Sequence, residues 1–218
     1  MKQAFLLFTL LFISNNFAQS LENYQIDKNI SLSMPQNLEV SDTLQQKIIQ
    51  GFLGKNVVII TKAILKDTIV TIECEKDLLE YYNGAQKGFL ESTKGKLLKK
   101  DIIKIDGLKF LNLNAIVSIN DEKKLCDSYI LFLDNYTYSL SFIQSINEDQ
   151  NFKIKKEEII SSIKFQKGLN INNQFNHFGN STRAFKSGEL VGKIFFYVLF
   201  TCVIIYLIKR GRKKKDIT

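Results

Sequence analysis

The stretch Leu190 to Ile208, LVGKIFFYVLFTCVIIYLI, limits this chain more than any other. Beyond Lys193 it carries no charge as far as Ile208, and Ile, Val, Leu and Phe dominate it. As a helix it would span roughly 28 Å, close to the thickness of a bilayer's hydrocarbon core. A buried helix of a soluble domain keeps a polar stripe, which this run lacks. Lys193 stands near one end, where its stem can snorkel to the headgroups. The expectation is a single transmembrane helix over 190–208. No helix-pairing motif is read in it, because Gly192 lies near its edge.

The ten residues that follow, 209–218, orient the span. Lys209, Arg210, Arg212, Lys213, Lys214 and Lys215 stand against Asp216 alone, which gives this tail +5 of the formal net charge of +8. A cationic cluster beside a span marks the cytoplasmic side. Its expected partner is the lipid bilayer. Nucleic acid is not expected, since ten residues without aromatics offer phosphate contacts and no base readout. Between Gln19 and Thr182 there are 20 basic and 20 acidic residues, so the main body is neutral and has no polyanion-binding charge.

Residues 1–18 read as a secretory signal: Lys2, a short apolar core from Ala4 to Ile13, and a polar exit ending at Ala18, the expected cleavage residue. Signal, domain, span and tail in that order predict a single-pass type I protein of a bacterial cytoplasmic membrane. Its main domain is extracytoplasmic and its C-terminus cytoplasmic. Of the three cysteines, Cys202 falls in the span. Cys74 and Cys126 are either bridged or two separately buried thiols, and no spacing suggests zinc.

From 19 to 167 the pattern is that of one α+β domain. Ile30 to Met34 alternates at strand period and stops at Pro35. Thr43 to Leu53 suits a helix or a hairpin arm. Gly54-Lys55 turns into the β-branched run Asn56 to Thr61, and Ile69 to Ile72 is a second such run. The best helix follows, with Asp77 as N-cap and Leu78, Tyr82, Ala85 and Phe89 on one apolar face. Gly84 and Gly88 within it suggest close packing on a sheet. A meander comes next: strands over 101–105, 108–119 and 126–133, joined by Asp106-Gly107 and Asn120-Asp121. Asp134-Asn135 then turns the chain into a last strand. There Tyr136, Tyr138, Leu140 and Phe142 point one way and Thr137, Ser139 and Ser141 the other, which predicts one wet or lightly covered sheet face. Lys156 to Phe165 is expected as a closing helix with Ile159, Ile160 and Ile163 inward. Residues 168–189 hold five asparagines and lose apolar periodicity, the composition of a flexible tether.

Two segments carry a resemblance. Ile30-Ser31-Leu32-Ser33-Met34-Pro35, a first strand ending in Pro, and Glu158-Ile159-Ile160-Ser161-Ser162-Ile163-Lys164-Phe165, a last helix with a Ser-apolar-Lys-Phe exit, resemble the PsbP- and DcrB-like α/β/α sandwich. The resemblance implies an antiparallel meander packed with helices. It also implies a non-catalytic envelope or assembly-factor domain, and supplies no catalytic residues.

The residues themselves hold no catalytic constellation. The one histidine, His177, lies in the expected tether, where it cannot be held against a nucleophile. Phosphate-cradling glycine loops are absent. Glu73, Glu75, Asp77 and Glu80 form the densest acidic group, a helix-capping edge or a place for carboxylate chemistry. Lys96, Lys99 and Lys100 are its expected counterpart. Tyr81, Tyr82, Tyr136 and Tyr138 are candidates for a ligand or partner face. No metal or cofactor is expected, and the function read is binding, with another envelope protein as partner. The alternative is a small-ligand receptor or enzyme built on the Glu73–Glu80 edge or the tyrosine face.

Overall fold

The computed structural model describes residues 20–42, 46–64, 71–119, 121–147, 149–176 and 184–195. The expected signal, residues 196–208 of the expected span and the basic tail lie outside the described residues. Among the described residues no helix is long and apolar enough to cross a membrane.

Among the described residues ten strands and three α-helices follow in order. β1 (Leu21–Gln25) and β2 (Ile30–Pro35) form a hairpin. β3 (Glu39–Asp42), β4 (Gln46–Leu53) and β5 (Asn56–Ala63) lead to helix α1 (Glu75–Thr93). β6 (Lys96–Ile105), β7 (Leu108–Ile119), β8 (Glu122–Leu133) and β9 (Tyr136–Ser145) form the meander. Helix α2 (Gln150–Ser161), β10 (Lys164–Phe165) and a 3-10 turn (Ile171–Gln174) complete the body, and helix α3 covers residues 184–195. The main sheet is antiparallel in the order β3-β4-β5-β9-β8-β7-β6, and the small one in the order β1-β2-β10.

The turn chemistry explains the meander. Asp106 and Gly107 have φ of 49° and 82°, and Asp134 and Asn135 have φ of 49° and 65°. Two successive positive φ values match the right-handed strand twist, and Asp, Asn and Gly tolerate them best. Both faces of the long sheet are buried along its central strands, while the edge strands β3 and β6 stay partly exposed. On one face α1 and α3 pack Leu78, Tyr81, Tyr82, Phe89, Val191 and Phe195 over Leu111, Leu113, Val117 and Ile130. On the other, α2 and the small sheet pack Leu32, Met34, Phe152 and Ile159 over Val58, Ile60, Leu131 and Phe142. The molecule is a mixed α+β, PsbP-like sandwich in which one outer layer is itself part helix and part sheet.

Several elements differ from expectation. The face of Thr137, Ser139 and Ser141 is not wet, since each is under 5% exposed beneath the helix layer. Short side chains leave room there, and Ser128 and Ser141 satisfy each other at 2.7 Å. Gln46–Leu53 resolves as the hairpin arm paired with β5. α1 starts two residues before Asp77, with Cys74 as N-cap, and Asp77 reaches back to accept from the Glu73 and Cys74 amides at 3.0 and 3.3 Å. α2 starts at Gln150 instead of Lys156, because Asp149 caps it by accepting from Asn151 and Phe152. It ends at Ser161, and Lys164–Phe165 returns as a strand against β2.

The start of the expected tether is part of the domain. Gln174 is fully buried. The β7–β8 ladder ends at Leu111 and Ile130, and two side chains bridge the gap beyond it. Gln174 accepts from the Lys109 amide (2.8 Å) and donates to the carbonyls of Lys109 (2.9 Å) and Phe132 (3.0 Å). Tyr82 Oη donates to the Lys109 carbonyl (2.7 Å) and accepts from the Phe132 amide (3.2 Å). Asn176 then pairs with Ile72. A composition rich in Asn reads as a loop, but here it supplies side-chain hydrogen bonds in place of strand pairing.

Candidate functional site

The four candidate tyrosines do not share a face. Tyr81 and Tyr82 are fully buried on α1, on the helix side of the main sheet. Tyr81 Oη meets Thr137 Oγ1 at 2.5 Å, and its ring tilts against Phe132 at 5.2 Å. Burial pushes both hydroxyls above their usual range. Tyr136 and Tyr138 lie across the sheet on its opposite face. The alternation of β9 alone could not show this, because α1 carries the other pair.

Tyr138 belongs to a polar node built on Asp27, in the β1–β2 turn. Asp27 Oδ1 accepts from the Asn29 and Ile30 amides at 2.8 and 3.2 Å. Its Oδ2 accepts from Lys62 Nζ at 2.6 Å and from Tyr138 Oη at 2.7 Å. Lys62 Nζ also stands 4.0 Å from the centre of the Tyr136 ring. Burial works to raise the Asp27 carboxyl, but the Lys62, Tyr138 and Asn29 hydrogen bonds and the Lys62 charge outweigh it, so it sits below its ordinary 3.8. Burial, then the Asp27 carboxylate, push the Tyr138 hydroxyl up. A carboxylate with both oxygens occupied and a phenol that resists ionisation form a staple between layers, not an acid–base pair.

The acidic edge is also dispersed. Asp77 caps α1, Glu75 pairs with Lys109, and Glu73 and Glu80 are exposed. The Lys109 hydrogen bond and charge hold Glu75 below its usual range. The expected counterparts are elsewhere: Lys99 pairs with Asp101 at 2.7 Å, and Lys100 reaches Asn83. Among the described residues no three His, Cys, Asp or Glu side chains come together in a metal-binding group. Cys74 is exposed and Cys126 buried, and both are free thiols. Burial pushes the Cys126 thiol up to about 12, so it is unreactive.

Two features were not singled out from the sequence. One is a cleft of about 170 Å³ between the start of α2 and the main sheet, lined in part by Leu98, Asn114, Gln144, Asp149 and Lys153. Its wall holds a partly buried ion pair, Lys156 Nζ to Asp127 Oδ2 at 2.7 Å. The other is the seam between α1 and α3. A Cβ on Gly84 would overlap the Phe185 carbonyl, and one on Gly88 the Glu189 carbonyl. Gly188 and Gly192 meet the Tyr81 and Ala85 carbonyls in the same way. Two Gly-x-x-x-Gly spacings, 84/88 and 188/192, therefore face each other and bring the backbones into contact. The close packing of Gly84 and Gly88 is against this helix, not against the sheet. Its exposed rim is ionic: Glu189 accepts from Lys193 at 2.8 Å and from Lys87 at 3.3 Å.

This architecture defines a PsbP-like α/β domain. No protein-family model matches the chain, and no curated protein does. Among solved structures it is similar to cyanobacterial PsbP (CyanoP) from Synechocystis sp. PCC 6803. That likeness has 11% identity over 70% of this chain and 96% of that one, with a TM-score of 0.51. It is also similar to LpqN of Mycobacterium tuberculosis, described as involved in cell envelope biogenesis. There the identity is 9% over 67% of this chain and 90% of that one, at a TM-score of 0.45. The likeness to CyanoP shows the fold alone.

Proposed function

We propose that this protein is a membrane-anchored extracytoplasmic module that acts by binding another envelope protein and catalyses no reaction. The observation that carries the reading is the seating of α3. It delivers the chain, still helical at residue 195, from the domain core into the uncharged run 196–208 and the basic tail. A helix fixed to the domain by two glycine pairs suits a module held at a surface better than one swinging on a long tether. The signal at 1–18, the span and the cationic end together place the domain outside a bacterial cytoplasmic membrane in this reading. Protease added to intact spheroplasts should digest the domain and spare the basic tail. A domain cleaved only after lysis overturns the orientation, and a chain released from membranes by alkaline carbonate overturns the anchor.

A further inference from the structure

We infer that one end of the domain, bearing Lys55, Lys94, Lys96, Lys123 and Lys153, rests directly on the anionic headgroups of the bilayer. This deepens the anchored reading above and rests on it.

The direction of α3 selects the end. Gly188 meets Tyr81 and Ala85, whereas Gly192 meets Ala85, Gly88 and Phe89, so later residues meet later residues and the two helices run the same way. α1 starts beside Lys109, through Glu75, and ends at Thr93, where the chain enters β6 at Lys96. α3 therefore points its last described residue, Phe195, toward the Lys96 end of the sheet. Strand register gathers the other elements there. Lys96 pairs with Ile116, the β7–β8 turn lies just beyond Ile119 and Glu122, and Lys124 pairs with Ser145. Val57 pairs with Ile143, which brings the Gly54-Lys55 turn and the start of α2 to the same end.

Cations outnumber anions there among the described residues: Glu122 is paired with Lys124 and Asp149 is engaged as the cap of α2, which leaves Asp121 beside five lysines. Lys55, Lys94, Lys96, Lys123 and Lys153 are exposed, and none takes part in an ion pair among the described residues. Ile146, 47% exposed, stands among them. The opposite end mixes both signs, with Glu73, Asp77, Asp106 and Asp134 beside Lys28, Lys104 and Lys167. The end toward which the chain leaves is thus the one where unpaired cations exceed anions. Lysines of this kind add attraction to an anionic surface that acts within a Debye length.

The length of the run sets the distance. Val191 and Phe195 are buried in the domain core, which leaves the thirteen uncharged residues 196–208 for the hydrocarbon. Taken as helix they cover roughly 20 Å of a core about 30 Å thick. A span that short is accommodated by local thinning and by snorkelling of flanking cations, which draws the docked domain into the headgroup layer.

The full chain in nanodiscs tests this by amine acylation read lysine by lysine in a mass spectrometer. In discs of phosphatidylglycerol and phosphatidylcholine at about 3:7, the five lysines should react several-fold more slowly than in pure phosphatidylcholine, and raised salt should remove the protection. Lys28, Lys104 and Lys167, at the other end, should react equally in both. A disc-bound chain whose lysines show no such difference between the two ends overturns the docking and leaves the anchor standing. A chain recovered apart from the discs overturns the anchored reading, and the docking falls with it.

Discussion

Asp27 shows how a single residue joins layers that are far apart in sequence. It lies in the first hairpin, yet its carboxylate takes a proton donor from β5 through Lys62 and another from β9 through Tyr138. Asp27→Asn removes the charge and one acceptor, and should lower stability by about 1–3 kcal/mol at neutral pH. The pH dependence follows from the lowered carboxyl. Near pH 4 the unfolded chain binds more protons than the folded one, so folding is weakened as acid is added. The contribution is full above about pH 5 and is lost as pH falls through the folded carboxyl's own range, below its ordinary 3.8. Urea titrations from about pH 2 to about pH 6, roughly two units either side of the ordinary carboxyl value, should show wild type and variant converging in acid. A constant gap would show that the node contributes by packing and not by ionisation.

Elements are held by devices that composition conceals. The Gln174 amide replaces strand pairing between Lys109 and Phe132, so Gln174→Ala would bare the Lys109 amide and the Phe132 carbonyl at a buried position, with Tyr82 still donating to the Lys109 carbonyl. A loss of about 1–3 kcal/mol is expected, read from the thermal midpoint, with faster hydrogen exchange at the open end of the β7–β8 ladder. A midpoint unchanged by the substitution would return residues 171–174 to the status of a surface loop. The α1–α3 seam is as exacting. Gly188→Val places a branched side chain against the Tyr81 carbonyl, and α3 must lift off. Exchange protection over 184–195 should vanish, with a cost of about 1–3 kcal/mol or more, while the meander keeps its protection. Retained protection would mean that the two backbones are not in contact.

At the scale of the molecule, the central strands of the long sheet are covered on both faces, and the end toward which α3 runs gathers five unpaired lysines. The meander was legible because Asp106-Gly107 and Asp134-Asn135 demand the φ values that tight hairpins use, and because two-residue alternation is a local property. The resemblance to the PsbP-like sandwich rested on two short segments. The likeness to CyanoP shows the same architecture at 11% identity. The four tyrosines were legible as residues but not as a site, since a sheet divides them. The glycine seam was present as two four-residue spacings 104 residues apart, and only packing relates them.

By itself, then, the sequence determined the class of each strong element, the tight turns and the neutrality of the main body, because those depend on neighbours in the chain. Tertiary structure alone decided that Gln174 belongs to the core and that Thr137, Ser139 and Ser141 are covered. It also decided that α3 lies along α1 with its exit at the lysine-bearing end. The physical reason is that burial, hydrogen-bond satisfaction and helix direction are relations between segments distant in sequence, and no local pattern records them.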